Sequence, residues 1–164
     1  MRAMIDDLIE ALRNELKEYG EMLALLDEQQ EQVLARNSDR VLDSVGRING
    51  QAAVLHQVRA TRETLQRDVA RGAGVAEDSA LFVLAQALPE AYRPLLQALV
   101  NENNQLLGRV QGRAKQNHLL LSRCVELMQR FIQSLTPGNT TTVYGGDGAV
   151  HATSAGYALY EAVG

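Results

Sequence analysis

Apolar residues in the first 35 positions follow alternating four- and three-residue steps: Ile5, Ile9, Leu12, Leu16, Tyr19, Leu23, Leu26, Gln30 and Val33. A mean step of about 3.5 residues is the coiled-coil period, so this pattern predicts one helix over about 3–35, packed along its whole length. Only Gln30 interrupts its apolar character. At about 1.5 Å per residue the helix would be about 50 Å long.

"RNSD" (36–39) breaks the pattern. Asn37 suits a left-handed helix end, and Ser38 suits the cap of a following helix with Asp39 in its first turn. A second helix is expected over 39–70, with Val41, Val45, Ile48, Ala52, Leu55, Val58, Leu65 and Val69 facing inward. Its seam slips by one residue between Leu55 and Val58, and Arg62 falls on it. So short a connection makes the two helices antiparallel neighbours. "RGAG" (71–74) ends the second helix, and 77–88 reads as a short apolar helix punctuated by Pro89 and Pro94.

A third long helix is expected over 94–135, beginning near Pro94 and stopped by "TPG". Its seam runs Leu96, Leu99, Asn103, Leu106, Val110, Arg113, Asn117, Leu120, Cys124, Leu127 and Phe131. Asn103, Arg113 and Asn117 need partners there, and such residues commonly fix register. Toward its end, apolar residues from Leu119 to Leu135 spread around much of the helix, more than one seam requires. Either this end touches both other helices, or it carries surplus apolar surface for another chain. From Thr136 onward Gly, Thr, Ser and Ala replace the charged helix formers, which predicts a mobile tail. The expected fold is therefore all-α: three long helices in an antiparallel coiled-coil bundle with a short accessory helix (1–135) and a flexible tail (136–164).

Composition narrows the function. The chain has 164 residues, a net charge of −4 and no Trp, with acidic and basic residues interspersed. That balance argues against non-specific nucleic-acid binding. The single Cys124 cannot form an internal disulfide. The charged N-terminus does not read as a signal peptide, and no run reaches the ~18–20 apolar residues of a membrane span. A cytoplasmic protein without membrane insertion is expected. His56, His118 and His151 share no ligand spacing with one another or with Cys124, which itself reads as a small buried hydrophobe. "GGDG" is too short for a phosphate-binding loop. No catalytic residue, metal site or cofactor is expected, and no enzyme.

"LVNENNQLL" (99–107) within the third helix and "TTTVYGGDG" (140–148) after its stop, behind a long N-terminal hairpin, resemble the FlgN family. These are cytoplasmic export chaperones for the flagellar hook–filament junction proteins. The family's Asn-x-x-Asn pair is matched by Asn101 and Asn104, and its Tyr-Gly-x-x-Gly sequence by Tyr144, Gly145, Asp147 and Gly148. The resemblance implies two partners. One is the C-terminal helical region of a hook-associated protein, which would lie along Leu120, Leu121, Cys124, Leu127, Met128, Phe131, Ile132 and Leu135. The other is the membrane export-gate platform of type III secretion, which Tyr144 and its Gly145, Asp147 and Gly148 frame would contact. The closing "GYALYEAVG" matches no family feature. The alternative is a coiled-coil scaffold or dimerisation protein using the apolar third-helix surface as a self-interface.

Overall fold

The structure is a computed structural model that describes residues 1–135 and, as backbone, Thr142–Tyr144 and Val150–Ala152. Four helices come first: α1 (Arg2–Leu34), α2 (Ser38–Ala73), α3 (Leu81–Ala87) and α4 (Arg93–Leu135). Strands β1 (Thr142–Tyr144) and β2 (Val150–Ala152) follow and pair antiparallel, with Tyr144 opposite Val150. The chain divides into two compact units, Met1–Leu121 and Ser122–Gly164. The two strands fall within the tail expected to be flexible, and the rest of that expectation lies outside the described residues. Thr, Val and Tyr favour extended backbone.

The turn between α1 and α2 reverses the expected roles of two residues. Arg36, not Asn37, takes the left-handed conformation, at φ 56°. Asn37 is the N-cap, its side chain accepting from the Arg40 N–H at 3.3 Å, and Ser38 begins the helix. Asn is as good a cap as Ser, and seating it there satisfies an otherwise orphaned donor. The other end of α2 behaves as expected. Gly74 adopts φ 72°, and the Val75 N–H bonds back to Ala70 O at 3.1 Å, a closure that favours a residue without Cβ.

Polar bonds fix the helix directions. Gln51 donates to Glu18, Arg47 to Glu28 and Gln29 to Ser44, so α1 and α2 run antiparallel. Asn103 Nδ2 donates to Leu12 O at 3.1 Å, and Asn117 Nδ2 to Leu26 O at 2.7 Å. Both links span 91 residues, so α4 runs parallel to α1 in a fixed register. An up-down-up bundle results, with α3 and the prolines in the return connection. One core cluster joins Ile5, Leu8, Ile9 and Leu12 to Val69, Leu84, Leu88, Leu96 and Leu99. A second joins Tyr19, Met22, Leu23 and Leu26 to Leu55 and Val110.

The α1 seam is wider than its apolar pattern. Leu8, Glu15, Met22 and Gln29, seven residues apart, are buried beside it. A helix packed against two others needs this second strip. On α2 the expected inward face is only partly covered, with Val41, Ile48, Val58 and Leu65 half-buried. Only Leu55 and Val69 of it are buried, whereas Ala52 is exposed and Val45 is 40% exposed. The expected α4 seam holds through Asn117, then Leu120 is half-buried and Cys124, Leu127 and Phe131 are exposed.

If the buried amides hold this register, Asn117→Ala should lower stability by about 1–3 kcal/mol. Asn101→Ala and Asn104→Ala, at exposed positions, should each stay within about 0.5 kcal/mol of the parent. Urea-denaturation midpoints of the three variants measure the contrast.

Candidate partner-binding surface

The last turns of α4 form an apolar face at the surface. Leu127 is 64% exposed, Met128 66%, Phe131 62% and Leu135 64%, with Val125 and Ile132 also exposed. Cys124, expected to be a buried hydrophobe, is an exposed free thiol. Leu120 and Leu121 are half-buried. Leu120, Cys124, Leu127 and Phe131 continue the seven-residue series of the upstream seam, and Leu121, Met128 and Leu135 form a second strip beside it. The face is therefore broader than one coiled-coil seam. Covering each large side chain would contribute roughly 1.5–3 kcal/mol before association costs.

A second concavity lies within Met1–Leu121. Tyr19, Met22 and Leu26 floor an open groove between Ile48, Ala52 and Leu55 of α2 and Leu107, Val110 and Ala114 of α4, about 580 Å³ in volume. Its polar groups are His56, Arg59 and Glu63 on the α2 rim, too few and too exposed to fix a small ligand's orientation.

Near it is the most tightly held charge in the molecule. Glu15 is buried and accepts from the Tyr19 hydroxyl at 2.9 Å and from Arg62 Nε at 2.9 Å, with Arg59 Nε at 3.8 Å. The carboxylate is compensated by the two arginines, and the group ties α1 to α2. Arg62, which interrupts the α2 seam, is there to meet it. Burial, reinforced by the Glu15 charge, pushes the Tyr19 phenol up to about 12.

The residues singled out by motif fall in different places. Asn101 and Asn104 are exposed, and Asn103 between them is the one facing α1. The helical period turns the motif pair outward, so the structural work belongs to Asn103. Tyr144 lies in β1, while Gly145, Asp147 and Gly148 lie outside the described residues. His56 and His118 are exposed on separate helices. Among the described residues, no group of three His, Cys, Asp or Glu side chains is placed to hold a metal, and no helix is long and apolar enough to cross a membrane.

The raised Tyr19 pKa has a definite sign. The folded state keeps the phenolic proton more tightly than the unfolded state, whose value is near 10, so this contribution is complete below pH 10 and lost as pH rises toward 12. Tyrosinate absorbance should show a component titrating near pH 12 that Tyr19→Phe lacks. The variant's stability should also fall less steeply between pH 10 and 12, as read by denaturation.

No curated protein and no solved structure matches the chain. The family described as FlgN protein matches residues 1–152, which takes in all four helices and both strands. That match agrees with the family resemblance of the sequence, and the chain belongs to the FlgN family, a family of flagellar export chaperones.

Proposed function

We propose that this protein is a cytoplasmic chaperone of type III flagellar export that binds the C-terminal helical region of hook-associated proteins, keeps them soluble and delivers them to the export gate. The observation that carries this reading is the exposed apolar face on α4, formed by Leu127, Met128, Phe131 and Leu135 with Val125 and Cys124 beside them. Its heptad spacing suits a helical client, because a second amphipathic helix is what completes an open coiled-coil seam. Half-buried Leu120 and Leu121 would border the client, with Ile132 on the same stretch. A chaperone of this kind acts by covering apolar surface and needs no catalytic group or cofactor.

The gate contact is assigned to Tyr144, with Gly145, Asp147 and Gly148 framing it. An aromatic ring with one polar end, set among glycines that let backbone approach closely, is a compact recognition element. Its sequence position, beyond the stop of α4, separates it from the client face and would allow both partners to be held together.

Two measurements test this assignment. Co-expression with a hook-associated protein should give a soluble complex that Leu127→Asp with Phe131→Asp abolishes while helicity by circular dichroism is kept. A folded double variant that still forms the complex would remove the client from this face. Tyr144→Ala should leave the complex intact and lower secretion of the junction proteins severalfold, and unchanged secretion would remove the docking role.

A further inference from the structure

The charge pattern beside the α4 seam identifies the kind of helix it accepts, an inference that rests on reading this face as the client site. Val110, Asn117, Cys124 and Phe131 stand seven residues apart, and the residues immediately before them are Arg109, Gln116, Arg123 and Arg130. In a coiled coil that preceding position flanks the apolar seam and meets charges of the partner helix. Upstream, the partner on this seam is α1, and it is acidic. Arg2–Leu34 carries nine Asp or Glu against three Arg or Lys, whereas Arg93–Leu135 carries two against six. An ion pair between these helices is made by the seam residue Arg113, whose Nε lies 2.6 Å from Asp27 Oδ1, while Arg109 at the flanking position enters none among the described residues.

In the last turns of α4 arginine recurs at this flanking position. Arg123 and Arg130 are both exposed, and among the described residues neither enters an ion pair. Between positions 122 and 135 the acidic side chain is Glu126 alone. We propose that the occupant of this face is an amphipathic α-helix with carboxylates flanking its apolar stripe, a helix of the same chemical kind as α1, with Asp or Glu set against Arg123 and Arg130. The arginines select by repulsion as well as attraction, since a lysine-flanked helix of equal hydrophobicity would bring like charges together along a partly desolvated seam. For the same reason the occupant is not a second copy of this chain, which would bring four arginines to one seam.

The test uses the full-length protein and two synthetic amphipathic peptides with identical apolar heptads, one carrying Glu and the other Lys at every flanking position. Fluorescence anisotropy at low and high salt measures both affinities. The Glu peptide should bind about tenfold more tightly at low salt, the preference should shrink as salt rises, and Arg123→Gln with Arg130→Gln should erase it. Equal affinities, preference for the Lys peptide, no binding of either, or a preference that survives the double substitution would each overturn the proposal. So would a dimer in sedimentation that Leu127→Asp with Phe131→Asp dissociates, because that outcome gives the face to a second copy. The chaperone reading fails separately. If the wild-type protein prefers the Glu peptide but captures no hook-associated protein, the function is wrong and the charge selectivity stands. If it captures the client equally well with and without the two arginines, the selectivity is wrong and the function stands.

Discussion

The bundle depends on one polar chain buried across three helices. Asn117 of α4 donates to Gln29 Oε1 and to Leu26 O of α1, and Gln29 in turn donates to Ser44 Oγ of α2, whose hydroxyl donates to Val41 O. Asn117, Gln29 and Ser44 are all buried. Apolar seams attract without choosing a register, because a slip of one heptad exchanges one leucine contact for another. A buried amide does choose, since any slip leaves it desolvated and unbonded at a cost of about 1–3 kcal/mol. Asn103, two heptads upstream and bonded to Leu12 O, repeats the constraint, so two separate groups must be broken together to slide α4 along α1.

α1 has 33 residues and α4 has 43, and most of the exposed large apolar side chains of α4 lie in its last turns. The seven-residue series that buries Leu96, Leu99 and Val110 continues as Cys124, Leu127 and Phe131, and Met128 and Leu135 widen the apolar surface beside it.

Much of this was legible where one physical rule dominates. The 3.5-residue period located α1, Gly74 closed α2, and two prolines five residues apart set α4 apart from α3. The third-helix asparagines were identifiable as register residues because polar groups on a seam need partners. What escaped was the other half of each interaction. Glu15 and Gln29 sit on a buried strip that an apolar pattern passes over, because their burial depends on Arg62 and Ser44 far along the chain. The α2 seam misled in the opposite sense, since Val45 and Ala52 have apolar side chains at helical spacing but little of the bundle covers them. Cys124 fits the seam by sequence position yet is exposed, because position on a seam does not by itself supply a covering helix.

An apolar face left open on a helix raises the hazard of unselective association, and the flanking charges bear on it directly. Surface ion pairs contribute little to affinity, typically about 0.2–1 kcal/mol each, so Arg123 and Arg130 do not hold a partner by themselves. Their effect lies in discrimination and encounter. They disfavour approach by basic helices and by another α4, and they draw an acidic helix toward the seam before apolar contact is made. Affinity set by a few side chains on one helix, with charges that speed encounter, gives a complex that forms quickly and also comes apart. That combination suits a protein whose proposed task is to hold a client and then surrender it.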